Sequence, residues 1–161
     1  MWMFVQAELA IRLGGEQMNV IDNYWTCAQI TEKLCGIKAE WIYCQERHET
    51  NNFTNWGATV AHNLAGIKKF RDQPAWFDGD ATSPEGDEYQ VFDDESSFAV
   101  YFARYLSLYR EDGIFEAQTL EDYARALRNG WYYGNMPGMT DEESIQNYAN
   151  GLQNAFNECF E

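Results

Sequence analysis

The sequence predicts an α+β domain, a mostly helical body with one small β-hairpin lobe flanking a cleft. Three observations carry that expectation. Apolar residues recur at helical spacing over most of the 161 residues. Capping residues and glycines punctuate those stretches. One segment, residues 71–94, breaks the pattern with Pro74, Gly79, Pro84 and Gly86, and its apolar runs, Trp76-Phe77 and Tyr89 to Phe92, are short.

Taken in order, Met1 to Leu13 reads as a helix closed by Gly14-Gly15. It carries Glu8 and Arg12 and lacks both a basic leader and a small-residue cleavage site, so it does not read as a signal peptide. A second helix is expected over Val20 to Leu34, stopping at Gly36, and a third from Ala39 to Glu49. Asn51 to Asn55 reads as a loop, and Thr59 to Asn63 as a short helix before Gly66. The β-lobe follows. Asp94 then caps a helix running to Tyr109, with Phe98, Phe102, Tyr105 and Tyr109 as its core stripe. Thr119 and Asp122 mark the start of the next helix, which ends at Asn129-Gly130. Thr140 and Glu143 form a capping-box signature for the last, whose inner face is Ile145, Tyr148, Leu152, Ala155 and Phe156.

Composition narrows the function. A chain of this length with 45% hydrophobic residues folds as one domain around a real core. A net charge of −15 repels nucleic acid and anionic membrane surfaces. No stretch is long and apolar enough for membrane insertion. Six Trp and ten Tyr suit the stacking of sugar rings, although helix contacts absorb aromatics equally well. Cys27, Cys35, Cys44 and Cys159 include no Cys-x-x-Cys pair, which argues against zinc. Cys27 and Cys35, eight residues apart on one helix, are separated by a rise of roughly 12 Å, too far for a disulfide. Buried free thiols are expected.

Among 26 acidic residues, Glu49 stands out by position. Ile42, Gln45 and Glu49 share one helical face, with Trp41 nearby. A carboxyl on an apolar face resists ionisation, and the negative end of the helix dipole adds to the effect. Hydrolysis of a glycosidic bond needs such an acid, usually with a second carboxylate. Read from periodicity alone, a frayed helix end with Glu49 in water fits as well. His48 adjoins Glu49, but the other histidine, His62, lies beyond a loop, so no metal site is expected. Gly-x-Ser-x-Gly and phosphate-binding Gly-rich motifs are absent.

The segment WIYCQERHETNNF, Trp41 to Phe53, resembles the region around the catalytic glutamate in bacterial glucosaminidases of glycoside hydrolase family 73. HNLAGIKKF, ESSFAVYFARYL, LEDYARALRNGWYYG and NYANGL are similar to further segments of that family, in the same order. The likeness spans roughly residues 19–156. One departure is Asn51, where the family has glycine; Asn tolerates the left-handed conformation needed there.

The resemblance implies a lysozyme-like fold, with residues 1–18 as an N-terminal helix or extension and 19–161 as the catalytic domain. It implies hydrolysis of the β-1,4 bond between N-acetylglucosamine and N-acetylmuramic acid in the peptidoglycan glycan strand. Glu49 takes the general-acid position. The second carboxylate falls in the lobe, among Glu85, Asp87 and Glu88, with Glu85 favoured and then Glu88. Asn63, Gly66, Tyr132 and Tyr133 fall at cleft positions, and Trp76 in the lobe is a candidate sugar contact. Asn63 and Gly66 suit chain turning equally well, and Tyr148 has the spacing of a core residue. No cofactor is implied, and the chain is expected to act as a monomer. The implied place of action is outside the cytoplasm: secreted, directed to wall or periplasm, or carried by a phage. A lytic transglycosylase and a non-catalytic wall-binding module remain alternatives.

Overall fold

The computed structural model describes residues 23–68 and 80–161. The expected N-terminal helix and Trp76 lie outside the described residues. Helix α1 covers Asn23–Cys35 and α2 covers Ala39–Glu49. A single turn, α3, spans Trp56–Thr59. Two short strands, β1 (Asp80–Thr82) and β2 (Glu88–Gln90), pair antiparallel with Ala81 opposite Tyr89. Helix α4 runs over Glu95–Leu106 and tightens into a 3₁₀ segment, Ser107–Asp112. Helices α5 (Leu120–Asn129) and α6 (Asp141–Phe160) complete the body.

The capping chemistry sets most of these limits. Asp94 accepts a hydrogen bond from the Ser97 amide at the start of α4. Thr119 with Asp122, and Thr140 with Glu143, form complete capping boxes on α5 and α6. Gly36 closes α1 at φ +83°, a left-handed position that suits glycine. The helix expected at Thr59–Asn63 lies earlier, because Asn55 caps it by accepting from the Ala58 amide and His62 turns left-handed at φ +48°. Helix α4 was expected to reach Tyr109; it gives way at Ser107 to the tighter 3₁₀ segment, which Gly113 ends at φ +88°.

Helix α2 crosses the centre of the body and packs against α1 and α6, while α1 packs against α4. Its residues Trp41, Ile42, Cys44 and Gln45 are buried, and Ile42, Phe98, Phe102, Leu106, Tyr123 and Leu152 form a fully enclosed core. Each such side chain stabilises the fold by about 1.5–3 kcal/mol relative to exposure. Between α1 and α4, the Thr31 hydroxyl reaches the carbonyls of Cys27 and Ala99, and the Cys27 thiol donates to the Glu95 carbonyl at 2.9 Å. All four cysteines are free thiols: Cys27 and Cys44 are buried, Cys35 and Cys159 half-buried.

The segment 61–68 joins the hairpin to the body. Gln90 donates to the Ile67 carbonyl, Phe92 to the Ala61 carbonyl, and Lys68 pairs with Tyr89 as an isolated antiparallel bridge. The fully buried side chain of Asn63 holds this segment. Its amide donates to the carbonyls of Ile67 and Gln90 and accepts from the Ile67 amide, each at 2.9 Å. Asn63→Ala strands two carbonyls and one N–H in the interior, at a cost on the order of 3 kcal/mol. Urea unfolding of the variant measures this directly. A loss under about 0.5 kcal/mol contradicts the assigned role.

Candidate active site

The site begins where α2 ends. Glu49 is its last residue, and the chain then makes a left-handed turn through Asn51, Asn52 and Phe53, at φ +50°, +58° and +60°. Such a run costs backbone energy and persists only where its surroundings enforce it. Here they do. Thr50 donates its hydroxyl to the Glu46 carbonyl at 2.6 Å and accepts from the Phe53 amide. Arg47 holds the Asn52 side chain at 2.7 Å, and Phe53 stacks on Tyr24 with ring centroids 4.1 Å apart. The helix end is therefore not frayed, and the Glu49 side chain is fixed in direction.

That direction is into a cavity of about 660 Å³, lined by residues of the helical body and of the hairpin. The carboxyl sits among tyrosines. Tyr148 of α6 donates its hydroxyl to Glu49 Oε1 at 2.6 Å. The Tyr132 hydroxyl lies beside the same carboxyl and donates to the Ala65 carbonyl at 2.9 Å, which ties the α5–α6 connection to the 61–68 segment. Tyr133 stacks on Tyr148 at 4.2 Å and donates to the Ala124 carbonyl, and His48 meets Tyr148 edge-on. Behind them, the enclosed Gln45 accepts a short hydrogen bond from Tyr123.

Burial pushes the Glu49 pKa above the usual glutamate value, and the hydrogen bond from Tyr148, with the Tyr132 hydroxyl alongside, opposes part of that rise. Burial likewise pushes the phenols of Tyr132 and Tyr148 well up, with the nearby Glu49 charge adding to it, so both remain protonated donors at neutral pH. The site thus presents to an open cavity a carboxyl whose ionisation burial disfavours, the direction general-acid work requires.

Five further expected residues line this cavity with Glu49: Asn63, Gly66, Glu85, Tyr132 and Tyr133. Asn63 spends its side chain on backbone groups, as described above, and Gly66 makes a left-handed turn at φ +61°. Glu85, exposed at the hairpin turn, supplies a second carboxylate to the lining. Glu88, on β2, is exposed and is not among the described residues that line the cavity. Asp87 forms an exposed ion pair with Lys68 at 2.9 Å. Among the described residues, no cluster of three or more His, Cys, Asp or Glu side chains could hold a metal ion.

Sequence reasoning missed Trp56, Lys68, Tyr89 and Trp131, which also line the cavity. It assigned Tyr105 to the core stripe, yet Tyr105 reaches the cavity wall. Tyr148 is indeed buried, as its spacing with Ile145 and Leu152 indicated, but its hydroxyl serves Glu49. Helical periodicity reports which face is buried; it says nothing about where a phenol oxygen finds its partner.

No protein-family model and no curated protein sequence matches the chain. Solved structures do. A peptidoglycan hydrolase mutant from Sphingomonas sp. A1 superposes with a TM-score of 0.61 at 18% identity, over 85% of this chain and 90% of the other. The peptidoglycan hydrolase from the same organism gives 0.56 at 18% identity, over 83% and 86%. The glycoside hydrolase domain of FlgJ from Salmonella typhimurium gives 0.59 at 16% identity, over 94% and 86%. Two of these structures are peptidoglycan hydrolases and the third is a glycoside hydrolase domain, and this chain shares their fold over most of its length.

Proposed function

We propose that this chain is a peptidoglycan hydrolase that cleaves the glycan strand, with Glu49 as the proton donor. The observation that carries the reading is a carboxyl at the wall of a cavity, its pKa raised by burial, held by a phenol at 2.6 Å. The fold shared with two peptidoglycan hydrolases and a glycoside hydrolase domain supports the substrate class. A neutral carboxyl there protonates the departing glycosidic oxygen as an oxocarbenium-like state develops. Glu85 is the proposed second carboxylate, as base for water or as a charge facing that state; its place in the lining supports it over Glu88. Tyr132 and Tyr133 form part of the binding wall, with Gly66 opening the approach of backbone to sugar. The bond assigned is the β-1,4 link between N-acetylglucosamine and N-acetylmuramic acid. The enzyme acts on the wall, outside the cytoplasm, without metal or cofactor. No helix among the described residues is long and apolar enough to cross a membrane.

The products test this. Mass spectrometry of digested, purified peptidoglycan is expected to show new reducing N-acetylglucosamine ends. Anhydro-muramic ends identify a transglycosylase instead, and intact strands that bind without cleavage identify a wall-binding module.

A further inference from the structure

We propose that Trp131 is a preset stacking platform for the apolar face of an N-acetylhexosamine ring, a glycan subsite on the rim of the Glu49 cavity. The inference rests on the reading of that cavity as a glycan site. Trp131 is 75% exposed, the most exposed large apolar side chain among the described residues, and it lines the same cavity as Glu49. A lone exposed tryptophan carries no meaning by itself. This one is held in place at a cost.

Its backbone sits at φ +65°, a left-handed position where a bulky residue is an outlier. Neighbouring contacts enforce it: the Trp131 amide donates to the Arg128 carbonyl at 3.0 Å, and the Tyr132 amide to the Leu127 carbonyl at 2.9 Å. One face of the indole is covered. The Arg128 guanidinium lies 4.5 Å from the ring centroid. Arg128 is itself only 4% exposed and is fixed by Asn135 at 2.9 Å and Asp141 at 3.0 Å. The ring is therefore immobilised before any ligand arrives, so binding against its open face loses little side-chain entropy.

The chemistry of the occupant follows from the charge distribution. The positive charge of Arg128 is behind the ring and paired with Asp141, so it does not recruit an anion to the open face. The net charge of −15 disfavours a stacked nucleotide, whose phosphates it repels. A neutral sugar with an apolar C–H face meets neither obstacle, and Trp56 and Tyr89 line the same cavity as further aromatic surface.

Isothermal calorimetry with a soluble N-acetylglucosamine oligomer tests the platform, in the Glu49→Gln background so that the ligand stays intact. Glycine relaxes the left-handed backbone, so Trp131→Gly is expected to fold and to bind at least about tenfold more weakly. Trp131→Phe retains an aromatic face on the same backbone and is expected to stay within about threefold. Equal affinity of Trp131→Gly and its parent overturns the platform and leaves the hydrolase reading standing. Equal loss in both variants also overturns it, because the ring face then contributes nothing. A parent that binds no oligomer removes the glycan reading of the cavity, and the platform with it.

Discussion

Glu49→Gln is expected to lower kcat on purified peptidoglycan by about 10²–10⁴-fold, the usual contribution of a positioned general acid. The amide keeps the shape of the side chain and its acceptor oxygen for Tyr148, so the cavity stays intact. It has no proton of suitable acidity to give. The same substitution has an opposite effect on stability. The folded-state pKa of Glu49 is raised above the ordinary value of 4.5 that holds in the unfolded chain. Folded protein therefore binds this proton more tightly than unfolded protein. The resulting stabilisation is fully present below pH 4.5 and is lost as pH rises through the folded value. Glutamine never ionises. At pH 8 the variant is expected to melt at a higher temperature than the parent, and the gap is expected to close towards pH 4. A variant that retains activity, or that melts lower at pH 8, contradicts the assignment.

The second large effect belongs to Tyr148. Its hydroxyl bond to Glu49 Oε1 favours the carboxylate over the acid, and it also fixes where the carboxyl points. Tyr148→Phe preserves ring volume and the stacking on Tyr133. With that donor gone, burial is less opposed, and the Glu49 pKa rises further. The general acid stays protonated to higher pH, so the alkaline limb of the kcat profile is expected to move up. At the plateau, kcat is expected to fall about tenfold, because the carboxyl is less firmly aimed. An unmoved limb, or one displaced downward, means that Tyr148 does not act on the carboxyl.

Much of the scaffold was legible from local chemistry. The bounds of α2, Ala39–Glu49, followed from apolar spacing between Gly36 and an Asn-rich loop, and the starts of α4, α5 and α6 followed from Asp94, Thr119 and Thr140. These signals are local, so the sequence displays them. Periodicity put Glu49 on the face of Ile42 and Gln45 but left a solvated helix end open, and it was the resemblance that singled this carboxyl out. Its partners were not legible. Tyr148 lies 99 residues further along the chain, and only the packing of α6 on α2 brings its hydroxyl to the carboxyl. Trp131 was illegible in another way. Its left-handed backbone contradicts local propensity, and the Arg128 guanidinium behind its ring is held by Asn135 and Asp141, which the sequence does not display as its partners. The misplacement of α3 has a smaller cause: Asn55 competes with Thr59 as a cap, and the 61–68 segment, tied to β2, needs His62 and Asn63 outside the helix.

The titration of Glu49 itself bears most directly on the proton-donor role. In protein labelled with ¹³C at glutamate carboxyls, the Glu49 resonance is the one lost in Glu49→Gln, and its chemical shift can be followed from pH 3 to pH 9. The expected midpoint lies clearly above the ordinary 4.5 and moves higher still in Tyr148→Phe. A midpoint at or below 4.5 describes a carboxyl already ionised at working pH, with no proton to hand over, and contradicts the proposed mechanism.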